Sequence, residues 1–191
     1  MALTESTMLE LGTIAPDFAL TDAVTGRTVH RDDFLGQKAL LVIFICTHCP
    51  YVKHIEKSLG KLSQDYAGKP IGMVAISSND VATHPVDSPE GLKQQAIANG
   101  FKFPYLYDES QDVAHAYQAA CTPDPYLFGA NFKLVYRGQY DDSRPGNGLP
   151  VTGKDIRTAL DHVLASQPAP ADQKPSVGCN IKWKAGNEPD Y

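Results

Sequence analysis

The densest apolar run in this chain, Leu40 to Ile45, contains no polar residue and gives way at once to apolar positions spaced among charges. A short run rich in β-branched and aromatic side chains predicts a strand covered on both faces. Beyond Pro50, the residues Val52, Ile55, Leu59 and Leu62 recur at helical spacing, with Lys53, Glu56, Lys57 and Lys61 between them. That pattern predicts an amphipathic helix. After a break at Ala67-Gly68-Lys69-Pro70, Ile71 to Ile76 predicts a second buried strand. Strand, helix and strand at this spacing predict parallel pairing through a right-handed crossover.

The flanking segments carry weaker signals. Residues 1–11 read as a short leader, and Phe18–Leu20 with Thr28–His30 as a hairpin turning at Ala23 to Arg27 on Gly26. Arg31 to Lys38 reads as a helical turn or loop. Ser77 to Asp80 reads as a polar turn, and Asn79 to Asp87 as loop. Ser88-Pro89-Glu90 caps a helix running to Asn99, with Gly100 as its stop. Phe103 to Tyr107 is extended, and Asp108 to Ala119 returns to helix with His115 on its surface. Tyr126–Phe128 and Lys133–Arg137 form a second hairpin. The turn-rich loop 138–153 holds Asp141 and Asp142, which are read as solvated. A last helix spans 154–166 on the stripe Ile156, Leu160, Val163 and Leu164.

Residues 167–178 are proline-rich and predict an extended linker. In Cys179-Asn180-Ile181-Lys182-Trp183-Lys184, apolar and polar residues alternate. This tail is therefore expected to dock as an edge strand or arm, on its own domain or on a neighbouring subunit, with Cys179 facing the protein. The expected organisation is one domain over 1–166 followed by a linker and docking tail over 167–191. The tail and its Trp183 are the only hint of a homodimer.

Composition removes several function classes. The chain has 191 residues, a net charge of −5 and 20% charged residues, with no basic patch suited to nucleic acid. No apolar run reaches membrane-spanning length, and the first ten residues lack a basic region followed by a hydrophobic core. A cytoplasmic home is expected. There, four cysteines are more often chemical than structural.

The chemistry is concentrated where the first strand meets the first helix, at Cys46-Thr47-His48-Cys49-Pro50. Pro50 suits the first helical position, which puts Cys49 at the N-cap, beside unsatisfied N–H groups and the positive end of the helix dipole. Both favour a thiolate, the attacking form of the thiol. Cys49 is the candidate nucleophile and Cys46 its resolving partner. His48 is expected to hydrogen-bond or charge-stabilise the same sulfur, with Lys53 and His54 adding positive charge. Two other readings compete: a zinc site drawing on His48 or His54, and inert buried thiols. A second ligand pair of the C-x-x-C or H-x-x-x-H kind is absent, so no metal and no cofactor are expected.

A strand followed by C-x-x-C at a helix start resembles the thioredoxin superfamily. Gly12-Thr13-Ile14-Ala15-Pro16-Asp17-Phe18-Ala19-Leu20 resembles the opening of its redoxin branch, shared by peroxiredoxins and thioredoxin-like reductases. Cys121-Thr122-Pro123 resembles the segment whose proline is cis in that superfamily. The C-P-Y-V-K-H continuation is similar to a peroxiredoxin-like group of thioredoxin-family proteins. The likeness covers roughly 8–166, and for that narrow group it runs through the Cys179 tail. It implies an α/β thioredoxin-like fold: a mixed central sheet with helices on both faces, an N-terminal β-hairpin and an extended C-terminal tail. It also implies a Thr122–Pro123 loop packed near the cysteine turn, its backbone open to an extended substrate peptide. Cys121 and Cys179 are further redox candidates, with simple packing as the competing role.

The peroxiredoxin pattern P-x-x-x-T-x-x-C is not kept, because Cys46 stands where its threonine would be and Arg137 falls a strand late for its arginine. The expected activity is therefore thiol–disulfide exchange on protein or small-molecule disulfides, with a thiol reductant as donor. A peroxidase using Cys49 is the alternative. A non-catalytic redox-sensing or zinc-binding interaction module is the third reading.

Overall fold

The computed structural model describes residues 3–191. In chain order its elements are β1 (Leu3–Glu5), β2 (Ala19–Asp22), β3 (Thr28–His30), β4 (Ala39–Phe44), α1 (Pro50–Asp65), β5 (Ile71–Ser77), α2 (Pro89–Asn99), β6 (Tyr105–Tyr107), α3 (Asp112–Ala116), β7 (Cys121–Thr122), β8 (Asp124–Gly129), β9 (Leu134–Arg137), α4 (Lys154–Leu164) and β10 (Val177–Asn180). Seven strands form one sheet in the order β3-β2-β6-β5-β4-β8-β9. β4 pairs parallel with β5 and antiparallel with β8, so the sheet is mixed. This is a thioredoxin-like α/β fold.

β4 is the centre, and its sequence shows why. Leu41 and Ile43 point into a core built with Val52, Ile55 and Leu59 of α1, Leu92 of α2, and Ile156 and Leu160 of α4. Leu40, Val42 and Phe44 point the other way, onto Val113, Ala114 and Tyr117 around α3. Both sets are buried, so neither face of β4 tolerates a polar side chain. The β2–β3 hairpin, the βαβ unit and the β8–β9 hairpin fall where the pattern put them. α2 opens on Ser88, whose Oγ accepts from the Gly91 N–H, and stops at Gly100 in the left-handed region.

Four expectations need correction. Residues 1–11 are not only a leader: Leu3–Glu5 is a strand paired with β10, while Met1 and Ala2 lie outside the described residues. The helix expected over Asp108–Ala119 shrinks to Asp112–Ala116. Its beginning is lost because the Asp108 carboxylate accepts from the Gln111 and Ala114 N–H groups, with Gln111 at φ 71. The Ser77–Asp80 segment, read as a polar turn and nothing more, is buried. Asn79 there joins Asp87 to the C-terminal arm, donating to the Asp87 carboxylate and accepting from the Lys182 N–H. Asp141 is buried as well, its carboxylate taking the N–H groups of Ser143, Thr152 and Gly153.

The arm lies on its own chain. β10 sits between β1 and β7 in a small second sheet, Ile181 is buried, and Trp183 packs on His115 at 4.5 Å between ring centroids. Among the described residues, no helix is long and apolar enough to cross a membrane.

Candidate active site

α1 begins at Pro50, and Cys49 is its N-cap residue. Around the Cys49 sulfur stand three groups from three parts of the chain. Its Sγ lies 3.2 Å from the Thr122 carbonyl oxygen and 2.9 Å from Cys179 Sγ. Cys46 reaches it from one turn of chain back and also meets Thr122 Oγ1 at 3.4 Å. The Thr122–Pro123 peptide bond is cis. Cys49, Cys46, Cys121 and Cys179 are all buried, and no disulfide joins them.

Three thiols buried against one another cannot ionise independently. A hydrogen bond from Cys46 is the largest influence on Cys49, followed by burial acting against it and by a hydrogen bond from Cys179. The backbone amides of Val52, in the first turn of α1, and of Cys179 add smaller contributions of the same sign. Together they hold Cys49 at about 4. The donors take the opposite shift. Cys46 is pushed well up, first by its bond to Cys49, then by burial and the Asp87 charge. Burial, then the Cys49 thiolate, pushes Cys179 up to about 12. Burial raises Cys121 too, and its sulfur faces the Pro123 and Ser176 carbonyls, not Cys49. One charge is thus shared by a thiolate and two thiols that donate to it.

A lowered thiol pKa has a measurable sign. Above about pH 5 the sulfur is already ionised, so further base adds no nucleophile. Iodoacetamide modification of Cys49, followed by peptide mass spectrometry, should keep a flat rate to about pH 8 and decline only near pH 4. An ordinary thiol would gain roughly tenfold per pH unit over that range. Such a rise at Cys49 would contradict the assignment.

The other side of the turn is fixed by a residue the sequence did not single out. Asp87 is fully buried, and its carboxylate accepts from the Thr47 N–H at 2.8 Å, Thr47 Oγ1 at 2.7 Å and Asn79 Nδ2 at 2.9 Å. His48 Nδ1 lies 2.6 Å from its second oxygen. Burial pushes the Asp87 carboxyl up, but the His48, Thr47 and Asn79 hydrogen bonds outweigh it and hold it at about 2. His48 therefore turns to Asp87 and stacks on His84, with ring centroids 4.6 Å apart, instead of meeting the Cys49 sulfur. His54 is also drawn off, with Nε2 at 2.6 Å from Ser143 Oγ, and Lys53 is exposed. Neither is among the largest influences on Cys49. Nothing in the proline-bracketed segment H-P-V-D-S-P marks Asp87 as the anchor of a turn some forty residues earlier.

Cys46, His48 and Asp87 are the groups best placed to hold a metal ion, their ligand atoms lying within 4.8 Å of one another. The Asp87 carboxylate already serves four donors, which an ion bound to its oxygens would disturb.

Beneath the Thr122–Pro123 loop, Arg137 is fully buried and grips Asp124 with both Nη atoms, at 2.5 and 3.1 Å. Its guanidinium lies 3.8 Å from the Tyr126 ring centroid. It is committed to β8, not to the Cys49 sulfur.

The same architecture recurs in solved proteins. An uncharacterized conserved protein from Geobacillus kaustophilus is 54% identical, with 96% of this chain and 97% of that one superposing at a TM-score of 0.94. The thioredoxin domain of a thiol-disulfide oxidoreductase from Bacteroides vulgatus shares the fold at 22% identity and a TM-score of 0.57, over 68% of this chain and 91% of that one. Among curated proteins, the thiol-disulfide oxidoreductase ResA of Geobacillus thermodenitrificans is 26% identical over 132 residues, 69% of this chain and 70% of that protein. Residues 11–137, from the G-x-x-A-P-D-F opening through Arg137, match the AhpC/TSA family, and the chain belongs to it.

Proposed function

We propose that this protein is a thiol–disulfide oxidoreductase in which Cys49 attacks a substrate disulfide and Cys46 resolves the product. The observation that carries the reading is the Cys49 sulfur at the mouth of α1 with the Cys46 and Cys179 thiols against it, an arrangement that lowers its pKa. The thiolate displaces one sulfur of the substrate disulfide, which leaves as a thiolate and takes up a proton. Cys46, having given up its own proton, then attacks the Cys49 sulfur, forms the Cys46–Cys49 disulfide and releases the second substrate thiol. Two electrons pass from the protein dithiol to the substrate. A thiol reductant restores the pair, in a reducing compartment such as the cytoplasm. Substrates are protein or small-molecule disulfides. The name borne by the ResA relatives supports the reaction class.

Peroxide suits this site less well. Arg137 is spent on Asp124, and Cys46 replaces a hydroxyl donor. Loss of such donors typically costs about 10²–10³-fold each in transition-state stabilisation.

The test is to trap the intermediate. Cys46→Ser should accumulate a substrate disulfide on Cys49, seen by intact mass as an adduct that a reductant removes. Adding Cys179→Ser removes the second sulfur in reach and should lengthen the adduct's lifetime. Should Cys46→Ser turn over normally while Cys179→Ser accumulates the adduct, resolution belongs to the arm and the reading of Cys46 fails.

A further inference from the structure

The backbone beside Thr122 is not open to solvent. β10 already pairs with it antiparallel, Cys179 opposite Thr122 and Asn180 opposite Cys121. This is the position an extended peptide would take if it added a strand next to the reactive sulfur. The arm brings a cysteine there, with Cys179 Sγ 2.9 Å from Cys49 Sγ. That is outside the bond length of about 2.05 Å but much closer than the distance at which unrelated sulfurs pack. Ser176 Oγ donates to the Pro123 carbonyl at 2.6 Å, and the Ile181 N–H to the Ala120 carbonyl at 3.1 Å, so the arm is bound along both sides of the cysteine. With the arm seated, Cys49 has 0% exposed surface, and no macromolecular disulfide can reach it.

The fit has a chemical requirement one residue before the cysteine. A Cβ on Gly178 would lie 1.9 Å from the Thr122 carbonyl oxygen and 2.7 Å from its carbon. Both are backbone atoms that cannot rotate aside, so only glycine passes at that point in this register.

We propose that the arm occupies the strand position beside Thr122, where the resemblance places an extended substrate, as a tethered and displaceable mimic of that substrate, and that the site selects extended peptides with glycine immediately before the reacting cysteine. This rests on Cys49 being an exchange nucleophile, and it adds the substrate's chemistry. In the substrate complex Val177–Asn180 gives way to the incoming strand, and the incoming cysteine sulfur takes the place of Cys179. Cys49 bonds to that sulfur, and the sulfur's former partner leaves as a thiolate. Cys46 then displaces the peptide thiol from Cys49. The pairing that must break between β10 and β7 is only two residue pairs long, while β1 pairs with the other edge of β10 over three.

The experiment uses the reduced full-length chain and two blocked hexapeptides, each joined through its cysteine to 5-thio-2-nitrobenzoate. One has the arm's own sequence, Ser-Val-Gly-Cys-Asn-Ile, and the other has alanine in place of the glycine. The glycine peptide should release the coloured thiolate at least roughly tenfold faster, a difference equivalent to one decade of affinity. The symmetric dinitrobenzoate disulfide, which has no backbone to pair, reports intrinsic exchange. Gly178→Ala should unseat the arm, raising both the rate with the glycine peptide and the alkylation of Cys49 by a similar factor. Equal rates for the two peptides, alongside consumption of the symmetric disulfide, would overturn the substrate assignment and leave the exchange reaction standing. No consumption of any of the three disulfides would remove the exchange reading itself, and this inference with it.

Discussion

Cys49→Ser should lower disulfide exchange roughly 10³-fold or more, because it removes the only sulfur in the pocket that is ionised at neutral pH. The two sulfurs that remain are poor substitutes. Burial is the largest influence on Cys179 and persists without the Cys49 thiolate, so its thiol still resists ionisation at neutral pH. Cys46 loses its bond to Cys49 in this variant, but burial and the Asp87 charge still act against its ionisation, and its sulfur meets Thr122 Oγ1. The serine hydroxyl fits the N-cap position and suits it chemically, so unfolding stability should change by no more than about 1 kcal/mol. Insulin-disulfide reduction and urea unfolding on one preparation separate lost chemistry from lost fold. Activity within tenfold of the parent would move the attacking role to another cysteine.

The contrast between what the residues announced and what they concealed follows range along the chain. Strand, turn and helix from Ala39 to Asp65 are local events: the apolar run, the proline at the first helical position and the spacing of Val52, Ile55 and Leu59 set them without help from elsewhere. Ser88 and Gly100 bound their helix for the same reason. Cys49 and Cys46 could be singled out because two thiols three apart at a helix start have few other uses. The partners of that turn arise from tertiary contacts and carry no local signal. Asp87 reads as any loop aspartate, and only the folded chain brings four donors to it. His48 was expected at the sulfur on proximity in sequence, yet a buried carboxylate offers it the stronger hydrogen bond.

Leu3–Glu5 is too short and too polar to declare itself a strand, and it becomes one only because β10 supplies a partner. The alternation in Cys179-Asn180-Ile181 did announce a docked strand. What it could not give was the address. The address matters chemically, since it sets Cys179 against Cys49 and fills the backbone edge that the sequence reading had left open for a substrate.

Arg137→Met should destabilise the fold by about 3–5 kcal/mol, the usual cost of leaving one member of a buried ion pair without the other. Both members are fully buried. Asp124 also accepts from the Ala120 N–H and the Tyr126 hydroxyl, each at 3.3 Å, but these neutral donors cannot replace a bidentate guanidinium. For a chain of this length the loss should lower Tm by roughly 10 °C. The sign reverses when the carboxylate goes too. Asp124→Leu combined with Arg137→Met takes both charges out of the interior, so most of the stability should return, as it does when buried pairs are exchanged for apolar residues of similar volume. Asp124 directly follows Pro123, so the single variant should also weaken exchange by loosening the strand that faces Cys49, while the double variant recovers both. Chemical denaturation of the two variants decides the point: if the single change costs less than about 1 kcal/mol, the pair does not hold β8 against β9, and the Thr122–Pro123 segment owes its position to the cysteine turn and the arm instead.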